Sequence, residues 1–171
     1  MFSSRGVVQY RKPRRSTKGF SLIELLIVIA VILVIAGLAL PHLLQSRIAA
    51  NESAAAQDIR IINSALITYT TAYPSVGYAS SLITLGGDCT SAMPSSSSAC
   101  LIDNVLASGT KSGYSFTLTG GSSTPNQNYT AIAAPQSNYT GVHYFCSFED
   151  ATIRFTTTAI TTCDATIPAI Q

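Results

Sequence analysis

The chain has 171 residues, of which 47% are hydrophobic and only 11% are charged. A soluble domain usually has about a quarter charged residues, so this composition indicates a part that is buried in a membrane or an assembly. The net charge of +2 hides an asymmetry, because residues 1–18 hold six basic and no acidic side chains, whereas residues 20–171 hold four basic and eight acidic ones. Outside the N-terminal run, the basic residues form no cluster of the kind that binds nucleic acid.

An apolar segment directly follows the basic run. Leu25–Leu40 has no polar side chain, and extending the segment back to Phe20 adds only Ser21 and Glu24 as polar residues. A helix over Phe20–Leu44 rises about 1.5 Å per residue, which is enough to cross a hydrocarbon core of about 30 Å. The basic flank predicts a cytoplasmic N-terminus and export of the chain beyond Pro41.

Two plainer interpretations compete for this segment. A secretory signal peptide would be cut after its apolar core, near residues 37–39, but the apolar run is long for such a core. A simple membrane anchor explains the length and the flanking charge, yet it gains nothing from Glu24. An isolated carboxylate inside a bilayer costs several kcal/mol, so Glu24 requires a partner.

The sequence KGFSLIE at residues 18–24 closely resembles the prepilin cleavage motif of type IV pilins and type II secretion pseudopilins. The resemblance is detailed over about Lys18–Ala50. It implies that a prepilin peptidase cuts after Gly19 and methylates the new N-terminal residue, Phe20. It also implies that Glu24 meets the free amine of a neighbouring subunit and so sets the register of a filament.

The same resemblance implies the fold, the location and the partners. We expect a subunit of a helical homo-oligomeric filament, held in the inner membrane with a cytoplasmic N-terminus before assembly and reaching the cell surface as a pilus afterwards. The expected partners are the prepilin peptidase, an assembly platform and a cytoplasmic ATPase, with no cofactor or metal. Pilus roles in adhesion, twitching motility or DNA uptake are favoured. A type II secretion pseudopilin and a membrane-anchored exported domain are the alternatives.

The apolar segment continues into an amphipathic half-helix. Pro41 removes one helical hydrogen bond, and we expect a kink there. Beyond it, apolar residues recur at three- and four-residue steps as far as Tyr73, where Tyr73-Pro74 predicts the end of the helix at about Ala72. The predicted organisation is therefore a leader at 1–19, a membrane or filament-core helix at 20–44, an amphipathic half at 45–73 and a globular head at 74–171.

The sequence of the head predicts a loop followed by strands. Ser75–Thr110 is rich in Ser, Gly and Thr and predicts a surface loop, with short helical pieces near Ser80–Leu85 and Leu101–Ala107. Alternating apolar and polar residues then predict four antiparallel strands packed on the long helix, which is an α+β architecture. This architecture resembles the globular head of type IV pilins. These strands start near Tyr114, Tyr129, Val142 and Thr152.

All four cysteines, Cys89, Cys100, Cys146 and Cys163, lie in the second half of the chain. An even number in a polar, exported region predicts two disulfides, and four cysteines allow three pairings. Cys146 and Cys163 resemble the cysteines that bound the C-terminal loop of many type IV pilins. We therefore expect Cys146–Cys163, with Cys89–Cys100 closing the serine-rich loop.

The titratable residues do not form a catalytic pattern. His143 lies in a strand-like run and reads as a partly exposed strand residue, while His42 follows Pro41 at the expected membrane edge. The adjacent acids Glu149-Asp150 are typical of a solvated turn. No nucleophile elbow, zinc-binding helix motif or phosphate loop occurs, so the sequence indicates a substrate of a processing enzyme and not an enzyme.

Overall fold

The computed structural model describes residues 19–87 and 93–170, so most of the predicted leader lies outside the described residues. Helix α1 spans Leu22–Ala72, and the chain divides between Leu40 and Pro41 into two compact units. The helix ends where Tyr73-Pro74 predicted, because the residue before a proline is disfavoured in helical geometry. Pro41 lies inside α1 and lacks the N–H that would bond the Gly37 carbonyl. The kink at this position stays a prediction.

The second unit holds a five-stranded antiparallel sheet in simple chain order. Each strand pairs with the next, so no crossover is needed. The chain beyond α1 is thus an α+β head of the pilin kind, with the sheet packed against the C-terminal half of α1. The strands are β1 (Thr110–Lys111), β2 (Tyr114–Gly120), β3 (Tyr129–Pro135), β4 (Tyr144–Phe148) and β5 (Arg154–Thr156).

The expectation of four strands was wrong by one. The short β1 pairs Lys111 with Tyr114 through a tight turn at Ser112 and Gly113. Both turn residues have positive φ, 50° for Ser112 and 76° for Gly113, which matches the two-residue hairpin turns that suit the twist of a sheet. Two residues are too few to show alternation, so β1 left no pattern in the sequence. The third predicted strand also begins later than Val142, at Tyr144.

The serine-rich segment contains the two expected helical pieces, each of a single turn. They are α2, Leu82–Leu85, and α3, Asn104–Ala107. Asp103 caps α3, because its carboxylate accepts a hydrogen bond of 2.7 Å from the Leu106 N–H. The buried side chains of Leu85 and Leu106 attach both turns to the core.

The core of the head lies between α1 and the inner face of the sheet. The predicted apolar stripe of α1 contributes Ala55, Ile59, Ile62, Leu66 and Tyr69, all at most 1% exposed. Alternate residues of the strands face these helix side chains. They are Tyr114, Phe116, Leu118, Tyr129, Ala131, Ala133 and Phe145.

A disulfide joins Cys146 in β4 to Cys163 near the C-terminus, with a Cα–Cα distance of 6.0 Å. This is the pair that the resemblance implied, and it attaches the C-terminal segment to the sheet. Cys89 lies outside the described residues, so its pairing with Cys100 stays a prediction.

Candidate functional site: the apolar segment and the polar anchors of α1 in the head

The apolar segment presents its side chains outward on every side. From Gly19 to Leu40 every residue is exposed except Ala36, which is half-buried. Among the large apolar side chains of this segment, exposure is greatest where the helix begins, at 78% for Phe20 just before it and 81% for Leu22 in its first turn. Within the described part of the chain, α1 is the one helix long and apolar enough to span a membrane. Burying this surface in lipid or against other helices yields roughly 25 cal/mol per Å² of apolar area.

Glu24 is the charged residue within this surface. The first helical hydrogen bonds run from the N–H groups of Glu24 and Leu25 to the Ser21 carbonyl, at 3.1 and 3.2 Å. Glu24 therefore lies in the first turn of α1, where a negative charge interacts favourably with the helix dipole. Its carboxylate is exposed and has no ion pair among the described residues. The carboxylate is therefore accessible to a cation from another molecule.

In the second unit, several polar side chains attach α1 to the head, and Asn63 is one of the buried ones. Its Nδ2 donates to Ser147 Oγ at 2.9 Å and to the Ala151 carbonyl at 3.1 Å, and its Oδ1 accepts from the Tyr129 hydroxyl at 3.1 Å. Burial raises the pKa of Tyr129 to about 12, so this phenol remains a donor at neutral pH. Asn63 thus joins the helix to β3, β4 and the β4–β5 turn.

A second anchor connects α1 to β1 and α3 through charge. Lys111 Nζ lies 2.8 Å from Asp58 Oδ1 and 3.0 Å from Asp103 Oδ2. Asp58 is nearly buried, with its side chain 6% exposed. The hydrogen bond to Asp58 raises the pKa of Lys111 more than desolvation lowers it, and the Leu106 N–H and Lys111 lower the pKa of Asp103. A buried carboxylate such as Asp58 requires a cation partner, which Lys111 provides.

The third anchor joins Glu52 to the segment that precedes β4. Glu52 Oε1 accepts from the Val142 and His143 N–H groups at 2.8 and 3.1 Å, and Oε2 lies 2.9 Å from His143 Nδ1. Burial disfavours the charged form of Glu52, but these hydrogen bonds outweigh burial and lower its pKa. His143 is partly exposed, as expected, but it lies before β4 and not in a strand.

Sequence reasoning did not assign these anchors. Glu52, Asp58 and Asn63 lie off the apolar stripe, a position that usually faces solvent. Their partners lie 53 to 91 residues further along the chain, so no local pattern relates them. The one sequence signal was the low number of charged residues, since in such a chain a charge on the helix is itself unusual.

The comparison with protein families decides what the apolar segment is. Residues 14–40 match the family described as the prokaryotic N-terminal methylation motif. The segment is a class III prepilin-like signal. This prepilin-like signal supports a type IV pilin-like protein or a pseudopilin in general, processed by a prepilin peptidase and assembled into a filament, and it is compatible with a membrane anchor. No curated protein and no solved structure matches the chain.

Proposed function

We propose that this chain is a structural subunit of a type IV pilus. In this proposal, prepilin peptidase cleaves between Gly19 and Phe20 and methylates the Phe20 amine. The subunit stays in the inner membrane through its apolar helix until an assembly platform and its ATPase move it into a helical filament. The filament then serves adhesion, twitching motility or DNA uptake at the cell surface.

The observation that carries the proposal is the apolar surface of residues 19–40, which is exposed on every side and has Glu24 near its start. A membrane alone would cover the aliphatic side chains but would leave Glu24 unpaired in a medium of low dielectric constant. Cleavage at Gly19 creates a free amine on Phe20, and in a filament this cation pairs with Glu24 of an adjacent subunit. The same apolar surface therefore contacts lipid before assembly and the helices of other subunits afterwards.

A pseudopilin of a type II secretion system is the second candidate, because it shares the motif and the long helix. The Cys146–Cys163 disulfide favours a pilin, since it resembles the bridge that bounds the C-terminal loop of many type IV pilins. The low charge and the abundance of Ser and Thr in the head also suit a densely packed external fibre.

The test is the N-terminal sequence and the intact mass of protein sheared from the surface of the native cells. The proposal expects a chain that begins at Phe20, carries one added methyl group and lacks four hydrogens because of two disulfides. An uncleaved chain in the membrane fraction, or a cut near Ala39, would contradict it. A methylated chain that is found only in the periplasm favours the pseudopilin.

A further inference from the structure

A polar cleft lies at the end of the head where α1 finishes. It has a volume of about 400 Å³ and opens between the segment after α1 and the β2–β3 loop. We call it the hydroxyl cleft, and its lining residues are Tyr69, Ser75, Val76, Tyr78, Ala79, Ser80, Thr84, Ser96, Gly121, Ser122, Ser123, Thr124 and Asn126.

Asn126 holds the two walls of the cleft in place. Its backbone N–H donates to the Val76 carbonyl at 2.7 Å, and its carbonyl accepts from the Tyr78 N–H at 2.8 Å. Its side chain is nearly buried and donates to the Tyr78 carbonyl at 2.9 Å. Gly77 has a φ of 82°, and a Cβ at that position would collide with the Asn126 backbone, so glycine permits this close pairing. The cleft is therefore a fixed feature of the head.

Several hydroxyl groups of the lining are exposed to solvent and make no hydrogen bond to the described residues. Five hydroxyl side chains have no hydrogen bond to any described residue, and they belong to Ser75, Ser80, Ser122, Ser123 and Thr124. The Tyr78 hydroxyl is likewise without a described partner, while its ring packs edge-on against Tyr129 with a centroid distance of 4.8 Å. A ligand that both donates and accepts hydrogen bonds would satisfy these groups.

The chemistry of the lining selects among ligand classes. No charged side chain among the described residues lines the cleft, so these residues offer neither a cation for phosphate or carboxylate nor a carboxylate for a metal ion. A purely apolar ligand would leave the hydroxyl groups desolvated and unpaired. A ring that carries several hydroxyl groups and an apolar face matches both the serines and the tyrosines. The volume falls within the range of about 300–1,000 Å³ that small-molecule sites occupy.

We propose that the hydroxyl cleft binds a neutral monosaccharide or disaccharide. Tyr78 supplies an aromatic contact, and Ser80 and Ser123 supply hydrogen bonds from opposite walls. This binding activity goes beyond the proposed structural role, since it needs only the folded head and neither the processing of the N-terminus nor the filament.

The test uses the full chain in micelles of a detergent without a sugar headgroup. Ligand-observed NMR titrations measure binding of methyl galactoside, N-acetylglucosamine and lactose, with N-acetylneuraminic acid as the charged probe. At least one neutral sugar should bind saturably. The Ser80→Ala/Ser123→Ala variant should weaken this binding about tenfold, because it removes a hydrogen bond from each wall of the cleft.

The matched control is Ser53→Ala/Ser137→Ala, which removes two exposed hydroxyl groups outside the cleft and should bind as the unmodified chain does. A second variant, Ser122→Trp, adds bulk at the exposed rim and should also weaken binding. Melting curves show that each variant is folded. The proposal is overturned if no neutral sugar binds saturably, if the cleft variant binds as tightly as the control, or if the charged sugar binds more tightly than the neutral ones.

Discussion

Lys111 and Asp58 are 53 residues apart in the chain, and the Lys111 Nζ lies 2.8 Å from the Asp58 Oδ1. This ion pair joins the long helix to the first strand of the sheet. Its two members differ in environment, since the Asp58 side chain is 6% exposed and the Lys111 side chain 28%. The loss of Lys111 therefore leaves a carboxylate that water reaches poorly.

We expect Lys111→Met to lower the free energy of unfolding of the head by about 2 kcal/mol, because it removes a hydrogen bond between charged groups and leaves Asp58 unpaired. Thermal unfolding followed by near-UV circular dichroism measures the effect. Arg60→Met is the control, because Arg60 is exposed and has no ion pair among the described residues. Equal melting temperatures for the two variants would show that the ion pair does not stabilise the head.

Asn63 should be more sensitive to substitution than any exposed residue of α1. Asn63→Leu removes hydrogen bonds to Ser147, Ala151 and Tyr129 and leaves their polar groups buried. We expect a loss of about 3 kcal/mol, since each unsatisfied buried group costs about 1–3 kcal/mol. The exposed neighbour Ser64→Leu is the control and should change the melting temperature little. A similar loss of stability in Asn63→Leu and Ser64→Leu would show that introducing leucine into the helix, and not the loss of the Asn63 hydrogen bonds, causes the effect.

The Glu52 anchor predicts a loss of stability in acid. The pKa of Glu52 is lower in the folded state than in the unfolded chain, so its ionisation stabilises the fold above its unfolded pKa. That contribution is lost as the pH falls from the unfolded pKa of about 4.3 through the lower folded value. Glu52→Gln should therefore melt lower at pH 7 but reduce the drop in melting temperature between pH 7 and pH 3. Glu149→Gln is the control. If Glu52→Gln and Glu149→Gln show the same drop in melting temperature between pH 7 and pH 3 as the unmodified chain, the prediction is contradicted.

Glu24→Ala should separate membrane insertion from filament formation. The variant keeps the aliphatic surface that lipid covers and loses the carboxylate that pairs with a neighbouring N-terminus. We expect normal amounts in the membrane fraction, together with a strong loss of sheared surface filaments. Glu149→Ala, which removes an exposed carboxylate in the head, is the control. Normal filament yield from Glu24→Ala would remove the role of Glu24 in setting the register.

The Cys146–Cys163 bridge should stabilise the head by restricting the unfolded chain. The two cysteines are separated by 17 positions, and closing a loop of this size contributes about 3 kcal/mol in the chain-entropy model. Cys146→Ser/Cys163→Ser should therefore melt at a lower temperature than the unmodified chain under non-reducing conditions. Under reducing conditions the difference should disappear. A difference that persists after reduction would point to packing of the cysteines and not to the covalent bond.

Local sequence patterns predicted both the end and the buried face of the long helix. The proline after Tyr73 predicted its end, and the three- and four-residue spacing of Ile59, Ile62 and Leu66 predicted its buried face. These signals lie within a few residues of the features that they determine. Strand β1 had no such signal, because a two-residue strand exists only through its pairing with Tyr114 and Ser115.

The apolar segment with its Glu24, the class of fold and the end of α1 could be predicted from the sequence, because each depends on composition or on periodicity within one element. The folded structure was needed to show that Glu52, Asp58 and Asn63 attach α1 to the head, and that Asn126 holds the two walls of the hydroxyl cleft together. Each of these contacts joins residues that are tens of positions apart. Hydrogen bonds of this kind depend on where the folded backbone places two groups, and the spacing of residues along one element carries no record of that placement.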